Sequence, residues 1–239
     1  MTDTDVFDLA LTAPGGIPLL VERSDGHTST TDLDWWLRRE GAQPPGDLAA
    51  LDWATAPGTA LDIGCCTGRH LHHLAERGIT ATGIDTSPAA VRIAQAAGLD
   101  ACLADAHHFT PTAPVDTVVA LGGGLGIAGT RAAADAFLAR LAGWLTPNGQ
   151  IIVSSVDWTA TADQHRTWVD AAHANGRYPG DVRVRLRHGD RTGEWFDWTW
   201  LDPTSLTAAA DTAGLHIAEL RRLGPAWYAA QLTRTGTVR

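Results

Sequence analysis

The sequence contains no lysine: all 18 basic residues among 239 are arginine. That excludes a Schiff-base nucleophile and any phosphate loop that depends on a lysine. Cysteine is scarce, with the neighbours Cys65 and Cys66 and a distant Cys102, which argues against a disulfide-stapled secreted fold. No apolar run is long enough to cross a bilayer, and the opening MTDTDVFDLALTAPGG is acidic where a secretory signal would be basic. A formal charge of −9 weakens electrostatic capture of nucleic acid. These absences predict a cytoplasmic protein with neither nucleic acid nor membrane as partner. What is present suits a globular core: 44% of residues are hydrophobic, and the length fits one α/β domain with at most a small cap. Ten tryptophans are many for such a chain.

Residues 1–57 show no strand–helix alternation and read as an N-terminal cap. They hold one short helical segment around DLDWWLRREG, with Thr31 or Asp32 as cap and Gly41 as stop. Residues 58–239 read as one domain. TALDIG, ITATGID, DACLAD, VDTVVALG and GQIIVSSV are five short apolar strands. Helices separate them: TGRHLHHLAERG, then SPAAVRIAQAAG with Ser87 as cap and Pro88 in its first turn, then TRAAADAFLARLAGWLTPNG stopped by Pro147 and Gly149. Such alternation predicts a parallel, doubly wound sheet. Further on, VRVRLRH and EWFDWTWL alternate with period two across GDRTG, a hairpin over about 182–201. PTSLTAAADTAG is another helix, and HIAELRRL with AWYAAQLTR forms a final antiparallel pair.

The turn that carries chemistry is LDIGCCTGRH, residues 61–70. Gly64 and Gly68 permit a tight turn and a close approach of backbone to ligand. They open onto a helix N-terminus, whose free N–H groups face whatever binds there. Asp85 ends the second strand, where a carboxylate reaches ribose hydroxyls bound over that turn. Asp105 ends the third. Acids at three successive strand ends, Asp62 being the first, suit a neutral or cationic nucleoside and cradle a pyrophosphate poorly.

DIGCCTGRH, GIDTSPAAV, ADAHHF and VDTVVALGGG resemble, in order and spacing, the successive motifs of class I S-adenosylmethionine-dependent methyltransferases, over residues 59–156. The resemblance implies S-adenosylmethionine as cofactor, S-adenosylhomocysteine as product and no metal. It implies that Asp62, Gly64 and Gly68 contact the methionine part and that Asp85 holds both ribose hydroxyls. Asp105, with Ala106 beside it, then faces the adenine amino group. Cys65, Thr86, Leu121 and Gly122 complete the implied cofactor lining. One departure stands out: Cys66 takes the place of the usual middle glycine, so the turn is expected to be reshaped there with binding retained. The implied fold is a mainly parallel, seven-stranded Rossmann-like sheet with an N-terminal cap and a late antiparallel hairpin. A further likeness, to small-molecule methyltransferases of actinobacteria, rests on GGGLGIAG at 122–129, EWFDWTW and AWY. It implies a small-molecule acceptor and bacterial secondary metabolism.

Displacement at a sulfonium methyl needs in-line positioning more than a dedicated base. Candidate bases are His107 and His108, behind Asp105, and Asp157 after the fifth strand. Against these stand ring packing or solvent exposure for the histidines and a helix N-cap role for Asp157. His165 and His173 in the following segment could also face the acceptor. His70, His72 and His73 share the first helix, but no acid or cysteine completes a metal set. The acceptor is expected between Trp35 or Trp36 of the cap and the aromatic face of Phe196, Trp198 and Trp200, with Trp158 nearby. Arg183, Arg185 and Arg187 alternate onto the other face of the hairpin and read as a solvated row. The alternative function is a methyltransferase-fold protein that holds the cofactor for non-methylating chemistry or for binding alone.

Overall fold

The computed structural model describes residues 5–13, 15–31, 33–37 and 45–236, with Trp35 and residues 45–47 described by their backbone alone. Asp32, Gly41 and the Trp35 side chain therefore lie outside the described residues. The N-terminal segment forms α1 (Val6–Thr12), β1 (Leu19–Arg23), β2 (Thr28–Thr31), α2 (Leu33–Trp36) and α3 (Pro45–Leu51). Alternation follows: β3 (Gly58–Ile63), α4 (Arg69–Glu76), β4 (Ile79–Asp85), α5 (Pro88–Ala96), β5 (Ala101–Leu103) and β6 (Val115–Ala120). A 3-10 turn at Gly124–Ala128 precedes α6 (Arg131–Gly143) and β7 (Leu145–Val156). A second 3-10 segment, Trp158–His165, runs into α7 (Arg166–Ala174). Last come β8 (Asp181–His188), β9 (Arg191–Thr192), β10 (Phe196–Thr199), α8 (Pro203–Thr212), β11 (Leu215–Arg222) and β12 (Trp227–Arg234).

The main sheet has seven strands in the order β11-β12-β7-β6-β3-β4-β5. Strands β3 to β7 are parallel, and β12 and β11 join antiparallel at one edge. The inner strands are apolar on both faces because both are covered. Ile63, Val118, Ile151 and Tyr228 pack toward α6 and α8, while Ala60, Val119, Ile152 and Ala229 pack with Leu51 and Leu74 of α3 and α4. Helix starts follow local chemistry: Ser87 Oγ accepts from Ala90 N–H at 3.0 Å ahead of α5, and Asp202 accepts from Thr204 N–H at 3.0 Å ahead of α8. No helix among the described residues is long and apolar enough to cross a membrane.

A second, antiparallel sheet has the order β10-β8-β1-β2, with β9 beside β8. It joins the two ends of the chain, since Leu19 to Arg23 pair with His188 to Val184. The registers Val21↔Leu186, Arg23↔Val184, Phe196↔Val184 and Trp198↔Val182 put these side chains on one face. On the other face the arginine row is not free in water: Glu22 accepts from Arg185 at 3.0 Å and pairs with Arg187 at 3.5 Å.

Three expectations need correction. The N-terminal segment contains a hairpin, β1–β2, that its own short pattern does not announce, because its partner is the remote β8. The helix read from Thr130 to Gly149 ends at Gly143, and Pro147 and Gly149 lie inside β7. A register shift between Val115 and Thr117 in the neighbouring β6 absorbs that irregular stretch of strand. The helix read over 161–174 begins as the 3-10 segment and becomes α-helical only at Arg166.

Candidate active site

All five parallel strands end at one edge of the main sheet, and the turn after β3 forms the floor there. Gly64 (φ 67°), Cys66 (φ 48°) and Gly68 (φ 86°) all occupy the left-handed region. Glycine does so freely, whereas Cys66 bears a cost on the order of 1–2 kcal/mol. Its buried thiol packs with Leu11 of α1 and with Ala89 and Ala90 of α5, which offsets that cost. Cys66 N–H donates to Asp85 Oδ2 at 2.8 Å and Ser87 N–H to Asp85 Oδ1 at 2.8 Å. The carboxylate is thereby fixed in one orientation while each oxygen keeps acceptor capacity for a ligand hydroxyl.

Above this floor lies a cavity of about 500 Å³. Gly64, Cys66, Asp85 and Thr86 line one side, Leu121 and Gly122 the next. A recess of about 90 Å³ shares Gly64, Asp85 and Thr86 with it and adds Asp105 and Ala106. The roof comes from the N-terminal segment and the second sheet: Phe7, Trp36, Leu186, Phe196 and Trp198. Helix α1 is held down because Ser87 Oγ and Ala89 N–H both donate to the Asp8 carboxylate, the latter at 3.2 Å. The hydroxyl of Thr67, in the floor turn, donates to the carbonyl of Trp36.

The glycine-rich stretch after β6 explains how the tryptophans come so close. A Cβ on Gly122 would stand 3.7 Å from the Trp36 ring, and one on Gly123 3.4 Å from Trp227. On Gly126 it would fall inside the Trp198 indole. Three indoles thus rest on backbone that has no side chain to offer.

The remaining site residues divide between cavity and scaffold. Asp62 is fully buried beneath the floor, and among the described residues neither carboxylate oxygen has a hydrogen-bond partner. His70 Nδ1 stands 3.4 Å from Asp62 Oδ2, an ion-pair distance only if that ring is protonated. Cys65 points away from the cavity, against Gly83, where a Cβ would meet its sulfur at 2.5 Å. A Cβ on Gly68 would strike Leu99, so this glycine serves helix packing behind the turn. Burial pushes the Cys65 and Cys66 thiols up, which keeps both protonated.

None of the three candidate bases lines the cavity. His107 Nε2 meets the carbonyl of Ile127 at 2.9 Å, so that nitrogen carries the proton and the ring is a strut. His108 is exposed, with Nδ1 2.9 Å from Asp105 Oδ2, while His107 N–H donates to Asp105 Oδ1 at 2.9 Å. Burial would raise the Asp105 carboxyl, but those hydrogen bonds outweigh it and hold its pKa below the usual range. Asp157 is buried, accepts from Thr159 Oγ1 and pairs with Arg222 Nη1 at 2.8 Å. Its carboxylate makes no N-cap bond either. Asp157→Asn should keep kcat/KM within about threefold and lower stability by about 1 kcal/mol, because Arg222 is half exposed and water takes over its charge. A loss of activity a hundredfold larger, measured in steady state, would restore Asp157 to the chemistry.

Of the five tryptophans expected around the acceptor, Trp36 and Trp198 line the cavity. Trp158 and Trp200 line a separate one, with His165. Phe7 and Leu186 also line the first cavity, signalled in the sequence only by the apolar character of α1 and β8, and Cys66, Ser87 and Ile127 line it from the turns after β3, β4 and β6. Among the described residues no group of three or more His, Cys, Asp or Glu is placed to hold a metal. The cavity is aromatic and acidic: Asp5 and Asp85 line it, Asp197 at its rim pairs with Arg183 at 3.3 Å, and the Arg69 guanidinium lies over the Trp36 ring at 5.9 Å. The buried Asp62 carboxylate, the pinned Asp85 and the bare backbone at Gly64 fit a nucleoside with a cationic head.

Comparisons with known proteins bear on this geometry. A family model described as a methyltransferase domain matches residues 60–149. A dTDP-3-amino-3,6-dideoxy-alpha-D-glucopyranose N,N-dimethyltransferase from Streptomyces fradiae is 30% identical over 181 residues, 74% of this chain and 68% of that protein. Among solved structures, a SAM-dependent methyltransferase from Bacteroides fragilis in complex with S-adenosyl-L-homocysteine has a TM-score of 0.76 at 26% identity, covering 95% of this chain and 92% of that one. A sugar N-methyltransferase from Streptoalloteichus is similar in fold, with a TM-score of 0.55 at 20% identity over 87% of this chain and 95% of that one.

Proposed function

Since this chain belongs to the class I S-adenosylmethionine-dependent methyltransferases, we propose that its acceptor is a small molecule and that the atom methylated is an amine nitrogen. The cofactor, when bound, supplies an electrophilic methyl group on a sulfonium. In this reading Asp85 receives the ribose hydroxyls, the recess beside Asp105 takes the adenine, and Asp62 balances the positive charge of the methionine end. Trp36, Phe196 and Trp198 exclude water from the reacting atoms and hold the nucleophile in line.

The observation that carries the amine is the lining, in which Asp5 and Asp85 sit among the rings of Phe7, Trp36, Phe196 and Trp198. Such walls favour a ligand that is basic in solution and disfavour an anionic one. An amine attacks as its neutral form, which solvent equilibrium provides, so the lack of a base in the cavity is no obstacle. The Streptomyces relative acts on an amino sugar, which supports the same class of acceptor.

The test is a matched panel of small molecules that differ only in amine against hydroxyl, incubated with the cofactor and read by mass spectrometry. Methylated amines together with S-adenosylhomocysteine are expected. Methylation of the hydroxyl partners alone would overturn the choice of atom.

A further inference from the structure

Helix α1 has seven residues, too few to hold a helix together in water, so its place is set by what it packs against. Val6 and Ala10 pack with Leu19 of β1, and Leu11 packs with Cys66, Ala89 and Ala90. In the middle of this buried helix stands a carboxylate, Asp8, only 8% exposed. Burying a carboxylate is costly unless donors satisfy it. Asp8 Oδ1 accepts from the Ser87 hydroxyl and, at 3.2 Å, from Ala89 N–H. Both donors belong to the start of α5, where free N–H groups and the helix dipole favour an anion. The same hydroxyl accepts from Ala90 N–H at 3.0 Å, so the cap of α5 is shared with a residue 79 positions away in the chain.

Ser87 faces two ways. Its main-chain N–H donates to Asp85 Oδ1 at 2.8 Å, on the cofactor side of the cavity. Its side chain holds Asp8, whose neighbour Phe7 belongs to the roof and meets Trp36 edge to face at 6.1 Å. Floor and roof therefore join at one residue. Ala89 and Ala90 offer only methyl groups to Leu11, a smooth contact that leaves the register of α1 open. Two bonds to a single Asp8 oxygen close it, which an apolar side chain at this position would not do.

We infer that Asp8 is a positioning residue for methyl transfer: through Ser87 it locks α1, and with it the Phe7 wall, to the seat of the cofactor's ribose. Occupation of Asp85 then steadies the roof, and a seated roof steadies the cofactor by the same free energy. This inference rests on the reading of the cavity as the methyl-transfer site with Asp85 at the ribose.

The experiment follows amide hydrogen exchange of peptides covering α1 in the full chain, with and without saturating S-adenosylhomocysteine. In the wild type the ligand should slow exchange of α1 about fivefold or more. Asp8→Ala should abolish that slowing, while affinity for S-adenosylhomocysteine in calorimetry falls by no more than about fivefold. Asp8→Asn keeps an amide oxygen that can accept both donors, so it should restore the slowing. Ser87→Ala, which leaves the N–H on Asp85, should behave as Asp8→Ala does and keeps the test valid should that variant fail to fold. Turnover of whichever panel molecule accepts the methyl group should fall about tenfold or more in Asp8→Ala and recover in Asp8→Asn. A purely structural Asp8 would instead lower the melting temperature and leave turnover and the ligand's effect on α1 as they are. That result, or exchange of α1 indifferent to the ligand in the wild type, overturns the latch and leaves the cofactor reading standing. A wild type that does not bind S-adenosylhomocysteine would sink the reading of the cavity itself, and the latch with it.

Discussion

Asp85→Ala should weaken S-adenosylhomocysteine binding about a hundredfold or more in calorimetry, while Asp157→Asn leaves it unchanged. Two hydroxyl bonds to a carboxylate contribute about 1.5–3 kcal/mol each, and every 1.4 kcal/mol is a factor of about ten. The substitution also strips Cys66 N–H and Ser87 N–H of their acceptor, so the floor loses its shape together with its ligand contact. A pH dependence follows. Burial raises the Asp85 pKa, the two N–H bonds pull against it, and the charges of Asp62 and Asp8 add to the rise. Affinity should therefore fall as pH drops through that raised value, because the ionised form receives the hydroxyls. Stability of the cofactor-free protein moves the other way. A carboxyl whose folded pKa exceeds its unfolded one contributes stability that is present below the unfolded value and lost as pH rises through the folded one. The stability difference between wild type and Asp85→Asn should then move in the variant's favour as pH rises through that value, although an Asn amide can accept from only one of the Cys66 and Ser87 N–H groups. A difference in melting temperature that is flat with pH, or a loss of affinity under tenfold for Asp85→Ala, would displace Asp85 from the ribose.

The cofactor half of this site is legible in the sequence because its signals are local. Asp62, Gly64 and Asp85 belong to one strand–turn–helix–strand unit whose apolar strands can only lie inside a covered sheet. Locality also limits the reading within the turn. Whether Cys65 or Cys66 lines the cavity depends on alternate directions along five residues, and it is Cys66, at positive φ, that does. The roof is illegible for the opposite reason. Beyond the neighbouring β2, β1 has its partner in the remote β8, and that pairing decides which tryptophans line the cavity above the turn and which line the other one. The candidate bases are reassigned by equally distant partners: the Ile127 carbonyl claims His107, and Arg222 claims Asp157. A sequence displays a histidine or an aspartate but not the remote group that occupies it.

Gly126→Ala should lower kcat/KM for methyl transfer about a hundredfold and leave S-adenosylhomocysteine affinity within a few-fold. The backbone of Gly126 is not in the left-handed region, so the effect is purely one of space: the new Cβ would occupy the Trp198 indole. Trp198 cannot simply retreat, because its strand is held in register by Val182 and Asp181 of β8. Either the indole swings out of the cavity or the 3-10 turn shifts, carrying Gly124 and Ile127, which also line it. Overpacking of this kind costs about 1–3 kcal/mol in stability, and a misplacement of about 1 Å at a reacting centre costs about a hundredfold in rate. The proposed cofactor contacts at Asp85, which ends β4, and at Asp105, two residues beyond β5, lie outside this turn and should be largely spared. Gly126→Ala combined with Trp198→Ala separates the two effects. Removing the ring relieves the clash, so the melting temperature should recover, yet the acceptor's KM should stay high because the wall itself is gone. Wild-type kinetics for Gly126→Ala would mean that Trp198 is not a fixed wall of the acceptor site. Full recovery of activity in the double variant would mean that the clash mattered only for folding.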